Sequence, residues 1–418
     1  MSGLAKRWTR FLGVVVIAVA LPACGSGFED KKNSDSRTLH MLVNITPNLT
    51  KAFWDDLVVP FEKQTGVDVV IDQPTADGVA KTLPQRLAAG NEPDIVQSIN
   101  VDKSIEPLVV DLTGESWVAD TPLAETYRFG GKNYQVGVGV QIQSLIYYNK
   151  TAFTKAGITA PPATIDDLTA AMVKLKAAGY LPLQTGGDWI TGQQLNWTSA
   201  PSVFQQAPTW YADIASGKLA PSQTYLPWLE LYKSWIDKGY ISKQAVALKY
   251  PDAEKSFLAG KAAMYPMGSW FVAADAKATK DFEVGVFAAP LQTGTPPAAL
   301  AGGSAGQLMI FKSTKRLDDA KALVRYLATD NEAITKYLKV DSVLRTGFVV
   351  AATPLGKSVE QIYAGVPKLF AAPDGFGDNA VPKGFATEFN KNVQGLYVGD
   401  TPAAVAKRLD AWLKANQK

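Results

Sequence analysis

Residues 39–72 read LHMLVNITPNLTKAFWDDLVVPFEKQTGVDVVID, and this stretch decides the fold class. Leu39 to Ile45 is apolar and β-prone, as a buried strand requires. Phe53, Leu57 and Phe61 then recur every four residues, which gives a helix one face of which is buried, with a kink expected at Pro60. Thr65-Gly66 ends that helix, and Val67, Val69 and Ile71 alternate as the next strand does. Strand, helix and strand in quick succession predict an α/β protein.

The same alternation continues outward. Leu83, Leu87 and Ala88 predict a second helix closing at Gly90, and Asp94-Ile95-Val96 a short buried strand. Ile165 to Ala178 has the strongest helix signal. Thr164 and Asp167 stand at capping-box spacing, Leu168, Met172 and Leu175 line one face, and Gly179 stops it. Further helices are predicted from Asp318 to Thr329 and from Ala403 to Ala415. No repeat of fixed period runs through the chain.

Upstream of this body, Lys6, Arg7 and Arg10 precede an apolar run from Phe11 to Leu21, the pattern of a signal peptide over residues 1–23. Leu21-Pro22-Ala23-Cys24 resembles a lipobox, so Cys24, the single cysteine, is the expected lipidation site. Residues 24–37 are rich in Gly, Ser, Asn, Lys and Asp and read as a tether between lipid and fold. The expectation is an exported protein on the outer face of the cell membrane, held by lipid alone.

Without residues 1–23 the chain keeps 39 of its 42 basic side chains against 39 acidic ones. That balance gives no electrostatic case for nucleic acid. About 380 residues exceed one ordinary core and predict two domains. Catalysis finds little to work with. His40 is the single histidine, so no His/Cys metal site and no cofactor are expected. Gly302-Gly303-Ser304-Ala305-Gly306 fits a hydrolase elbow, but no histidine follows it. Gly356-Lys357-Ser358 resembles the end of a P-loop whose first glycine is replaced by Ala351. Carboxylate pairs are the one catalytic resource left.

Several segments in order resemble the extracellular solute-binding proteins of ABC importers, in the sugar-binding group that includes the maltose-binding protein. They are Phe61 to Val67, the LAAGNEPDIV run from Leu87 to Val96, Tyr147-Tyr148-Asn149-Lys150 with Phe153 and Ala156-Gly157, and Pro161 to Thr164 with Asp167-Leu168. Phe257 to Met264 followed by Gly268-Ser269-Trp270 is the most specific piece. The resemblance implies a two-lobed α/β fold of the Venus-flytrap type, with three interlobe crossings. These are expected near Gly137–Ser144, Ala288–Thr295 and Asp341–Phe348. One lobe would then comprise 38–140 and 292–343, the other 145–288 and 347–418. It also implies a monomer that captures a carbohydrate in the interlobe cleft and presents it to the membrane permease, with no reaction catalysed. A glycerol-phosphate or amino-sugar ligand on the same fold, and a surface-anchored carbohydrate-active enzyme, are the competing readings.

Sugars need aromatic plates for their C–H faces and fixed polar groups for their hydroxyls. Trp270 holds the position that resembles the family's stacking residue, with Gly268 and Ser269 beside it letting the backbone approach. Gly302, Gly303 and Ser304 resemble its glycine-rich cleft loop; a strand-entry turn is the competing role. Asn44, Thr46 and Asn48 follow the first strand, and Gln97 and Asn100 follow the Asp94-Ile95-Val96 strand, at edges where α/β folds bind ligands. Gln141 lies in the first crossing, Asp188 and Trp189 follow Gly186-Gly187, Trp197 is close by, and Arg345 in the third crossing could donate a forked hydrogen bond.

Overall fold

The computed structural model describes residues 37–417, apart from 76–77, 296, 367–368, 371–374, 376 and 380. The expected signal peptide, Cys24 and the tether as far as residue 36 lie outside the described residues. The first strand is β1 (Thr38–Leu42), three residues shorter than expected at its far end. Leu39 and Met41 are fully buried on one face, while His40 between them is exposed. β1 pairs in parallel with β2 (Asp68–Asp72) and β3 (Ile95–Gln97). The Lys51–Thr65 helix that joins β1 to β2 starts at Thr50, whose hydroxyl accepts the Phe53 N–H, and stops at Gly66 in the left-handed conformation. Pro60 does not interrupt this helix. Proline withdraws one N–H from the ladder and frees the carbonyl four residues back. Here that carbonyl belongs to Asp56, and Lys336 Nζ takes it at 3.0 Å.

Trp54, Leu57, Val58 and Phe61 form the buried stripe of the helix. They pack with Leu39, Met41 and Ile95 and with the Leu317–Thr329 and Asn331–Val340 helices. Fully burying such a side chain is worth about 1.5–3 kcal/mol. The opposite face of the sheet is covered by Val79, Leu83, Val101 and Ile105, which pack on Leu42 and Val96. Burial on both faces makes β3 and the Leu42 end of β1 read as continuous apolar runs, while the outer strand β2 alternates.

The second core is built on β5 (Leu145–Asn149), β6 (Leu181–Leu183), β7 (Ala262–Pro266) and β8 (Val284–Ala288), in the order β6-β7-β5-β8. Around it stand the Ile165–Ala177, Ile190–Gln206, Pro221–Asp237, Phe385–Gly395 and Pro402–Asn416 helices. The Ile165–Ala177 helix opens with the expected capping box between Thr164 and Asp167.

Between the two cores runs a small sheet ordered β11-β9-β4, formed by β4 (Gly139–Ile142), β9 (Leu300–Ala305) and β11 (Leu369–Phe370). β4 lies within residues 137–144, and its Val140 exchanges backbone hydrogen bonds with Leu344 at 2.8 Å. Gly139 is required at that meeting, because a methyl there would sit 2.4 Å from Val343 Cγ1 and 2.8 Å from the Leu344 carbonyl. Residues 289–291 still belong to the second core, with Ala289 N–H bonded to the Ser144 carbonyl and Leu291 bridged to Thr164. β9 begins more than ten residues beyond Ala288 and pairs with β4, after which β10 (Leu308–Ile310) joins the first sheet beside β3. A loop rich in Pro, Gly and Thr separates β8 from β9.

Candidate ligand cleft

Where the small sheet meets the two cores, a cleft opens with two adjoining compartments of about 240 and 220 Å³. The first is walled from the β1 side by Asn44, Thr46, Asn48 and Gln97, from the crossings by Gln141, Gln143 and Asp341, and from the β7 side by Trp189, Tyr250, Glu254 and Trp270. Local chemistry fixes these groups. Thr46 Oγ1 accepts the Asn48 and Leu49 N–H groups at 3.2 and 2.9 Å, which curls the loop after β1 into a turn. The Gln97 side-chain oxygen accepts the Asn44 N–H at 2.8 Å and joins the ends of β1 and β3.

A line of hydrogen bonds then crosses the cleft. Lys277, at the end of the Phe271–Lys277 helix, donates to Asn48 Oδ1 at 3.0 Å. Asn48 Nδ2 donates to Asp341 Oδ1 at 3.0 Å, and Gln141 Nε2 donates to Asp341 Oδ2 at 2.8 Å. Asp341 is 7% exposed. Burial pushes its carboxyl up to about 6, against the pull of Asn48, Gln141 and Lys277 toward the ionised form. Glu254, one turn along the helix from Tyr250, accepts that phenol at 2.9 Å. Its carboxyl is also raised by burial, partly offset by the Tyr250 hydroxyl and the Lys277 charge.

Three tryptophans form the aromatic side. Trp197 is 2% exposed and stands edge-on to both Trp189 and Trp270, at ring-centre distances of 6.1 and 5.7 Å. Trp189 also packs on Tyr250 at 5.4 Å. Edge-to-face contact of this kind holds each ring at a fixed tilt. Trp189 is 40% exposed, which leaves much of its ring uncovered.

Of the residues singled out in the sequence, Asn44, Thr46, Asn48, Gln97, Gln141, Trp189 and Trp270 line the first compartment. Asn100, Trp197, Gly302, Gly303 and Ser304 line the second, Gly302 to Ser304 as part of β9 itself. Four others stand elsewhere. Arg345 turns away from the cleft and donates from Nη1 to the Val138 and Ala328 carbonyls at 2.8 and 2.9 Å, satisfying backbone acceptors that would otherwise be stranded. Ser269 is fully buried and ties its N–H to the Ile142 carbonyl at 2.8 Å. Gly268 lies under Trp270, where a methyl would fall 2.0 Å from the indole ring; its role is to let that ring fold back. Asp188 points its side chain to solvent from a left-handed turn with φ 56°, while its carbonyl accepts from Asn390 and Gln394.

The sequence reading missed Tyr250, Glu254, Gln143 and Asp341. Tyr250 and Glu254 carry a weak signal, an aromatic and an acid at i and i+4 near a helix start. Asp341, at the edge of an expected crossing, is a lone carboxylate between Val340 and Val343 with no local signal to mark it. Among the described residues lining either compartment there is no lysine or arginine.

Comparison with known proteins agrees with this architecture. The chain is 25% identical over 352 residues to the multiple sugar-binding protein of Streptococcus mutans, covering 80% of this chain and 82% of that one. It is 28% identical to the maltooligosaccharide ABC transporter solute-binding lipoprotein of Streptococcus pneumoniae, over 82% and 81% of the two chains. Among solved structures, a chitin oligosaccharide binding protein superposes with a TM-score of 0.78 at 23% identity, over 92% of this chain and 99% of that one. A raffinose complex of the solute-binding protein RafE gives 0.72 at 20% identity, over 91% and 100%. These structural likenesses establish the two-lobed fold, and the proteins compared are binding proteins. Residues 44–334, well over half of the chain, match the profile of the bacterial extracellular solute-binding proteins, and the chain belongs to that family.

Proposed function

We propose that this protein captures a carbohydrate in the interlobe cleft and delivers it to the membrane permease of an ABC importer. The observation that carries the reading is the composition of the cleft. Three tryptophans face amides and two hydrogen-bonded carboxylates, with no lysine or arginine among the described residues of the walls. Stacking planes beside fixed acceptors suit the C–H face and the hydroxyl rim of a pyranose. The names of the relatives, which bind multiple sugars and maltooligosaccharides, support it.

The lobes that close on the ligand are taken as 38–140 with 306–343, and 145–299 with 347–418, hinged on β4, β9 and the Val140–Leu344 bridge. A ligand touching Asn48 and Asp341 on one side and Trp270 and Glu254 on the other makes all its contacts only when the hinge is shut. Binding therefore shifts the open–closed equilibrium toward the form a permease recognises. The Lys277–Asn48 hydrogen bond spans the same gap.

The protein acts as a monomer, tethered by lipid at Cys24 on the outer face of the membrane, and catalyses no reaction. Gas-phase or chromatographic detection of new products after prolonged incubation with oligosaccharides would contradict the last point. A second reading has its own observation. Asp341 and Glu254, with no lysine or arginine among the described lining residues, suit an amino sugar, whereas a glycerol-phosphate ligand would find the nearby Lys277 already bonded to Asn48.

A thermal-shift screen with sugars, amino sugars and sugar phosphates tests these readings together. A ligand at about a hundred times its Kd adds roughly 2.7 kcal/mol. A hit among neutral sugars, lost in Trp270→Ala, supports the leading reading. Hits confined to amines favour the second, and hits confined to phosphates contradict both.

A further inference from the structure

Direct hydrogen bonds join the lobes at more than one place, and they differ in what a ligand can do to them. The Lys277–Asn48 bond ends on a wall of the first compartment, so a ligand there competes for Asn48. A second tie is made by Arg128 and Gly130 on one side and Asp378 on the other, residues that line neither compartment.

Local sequence builds both halves of that tie. Phe129 and Lys132 exchange backbone hydrogen bonds at 2.9 and 3.1 Å around Gly130-Gly131, whose φ angles are 58° and 73°. Two glycines at positive φ make the tight two-residue hairpin turn. Phe129 packs with Leu42 and Val96, which fixes the turn to the first core. The hairpin closes through Phe129 and Lys132, so the Gly130 N–H must find its partner elsewhere. Across from it, Gly377–Asn379 forms one short helical turn, and Val381 and Phe385 just beyond are buried in the second core. Gly130 N–H donates to Asp378 Oδ1 at 2.8 Å, and Asp378 N–H donates to the Arg128 carbonyl at 3.0 Å. Gly377 permits the approach, since a methyl there would stand 2.1 Å from that same carbonyl. Nearby, Lys383 Nζ meets Asp102 Oδ2 at 2.8 Å and Ser104 Oγ at 3.1 Å, but the lysine is 69% exposed and such a pair adds little.

We infer that Asp378 and the Arg128–Gly130 turn form a clasp that holds a closed population of the empty protein without help from a ligand. The inference rests on the interlobe hinge proposed above and adds what keeps it shut when the cleft is empty. Tyr127 and Gly375, each close in sequence to one half of the clasp, line the second compartment, so the clasp stands beside the ligand and not in contact with it. A ligand that binds the closed form alone sees its affinity reduced by the fraction of protein that is open. The clasp therefore scales affinity for every ligand by one common factor. Asp378 is a positioning residue that sets how tightly the cleft binds without reading what is bound.

The test follows the Gly130 amide of the unliganded protein by hydrogen exchange in NMR. A glycine N–H at a hairpin tip that faces water exchanges at nearly the rate of an unfolded chain. A clasp formed about nine-tenths of the time slows it about tenfold. Asp378→Ala should return Gly130 to the fast rate while the amides of β1 and of the Pro402–Asn416 helix stay as protected as in the wild type, which separates loss of the clasp from loss of the fold. Gly130 exchanging at the fast rate in the wild type overturns the inference, and so does protection that survives Asp378→Ala. The wild-type measurement decides even where the variant does not fold. Titrations with maltose, raffinose and glucosamine add a second readout. Asp378→Ala should weaken each of them that binds by the same factor, at most about tenfold, the worth of one net hydrogen bond. Weakening of one and not another would make Asp378 a ligand contact and overturn its ligand-independent role. If none of the three binds, the carbohydrate reading loses its support, and the exchange rate of Gly130 still decides the clasp.

Discussion

Replacing Asp341 by asparagine tests how the cleft is held ready. The carboxyl is 7% exposed and lifted from 3.8 to about 6, with burial the largest cause. Because the folded value lies above the unfolded one, the native state binds the proton more tightly. The associated stability is complete below about pH 4 and is lost as pH rises through about 6. Two units correspond to about 3 kcal/mol, the upper limit for what ionising this group costs the unliganded protein. Asparagine has the shape of the protonated acid. It keeps an oxygen for Asn48 Nδ2, and its amide can donate to Gln141 once that amide turns over. Asp341→Asn should therefore be about 1–3 kcal/mol more stable than the wild type at pH 8 and equal to it at pH 4, read from urea unfolding at both pH values. Its sugar affinity at pH 8 should fall by about 10- to 150-fold, the 1.5–3 kcal/mol of a hydrogen bond to a charged acceptor. A variant less stable than the wild type by the same amount at pH 4 and pH 8 would refute the reasoning, since the penalty of a buried charge cannot be independent of its ionisation.

Gly268→Ala places a methyl 2.0 Å from the Trp270 ring; the ring must move, so sugar affinity should fall and tryptophan emission of the unliganded protein should change, both read by fluorescence titration. Arg345→Met strands the Val138 and Ala328 carbonyls; it should lower stability by about 1–3 kcal/mol in urea and leave sugar affinity unchanged, because the guanidinium is outside the cleft.

The fold was legible because its signals are local. The β1-helix-β2 stretch declares itself by period and caps, and the Thr164–Asp167 box appears as spacing alone. The hinge was less legible. β9, with its glycines, looks like a loop in sequence and becomes a strand only by pairing with β4, a contact between residues more than 150 positions apart. The Pro- and Gly-rich loop before it carries the stronger local turn signal. The cleft divides in the same way. Asn44, Asn48 and Gln97 follow from the rule that ligands gather at strand ends. Tyr250 and Glu254 reach the cleft from a helix start that only tertiary packing brings there. Arg345 and Asp341 show the limit most plainly. Four residues apart, they face opposite ways, Asp341 to the cleft and Arg345 to backbone carbonyls, and charge type alone does not tell the two apart.

The central claim is that a neutral sugar is held between the tryptophans and the fixed polar groups of the cleft. Titrating the protein with the best sugar of the screen, at low and at high salt and following tryptophan emission, tests it most directly. The account predicts a saturable change in emission with the same Kd at both salt concentrations, because no charge pair forms between ligand and protein. A Kd that weakens steeply with salt, or an emission spectrum that no sugar perturbs, would contradict it.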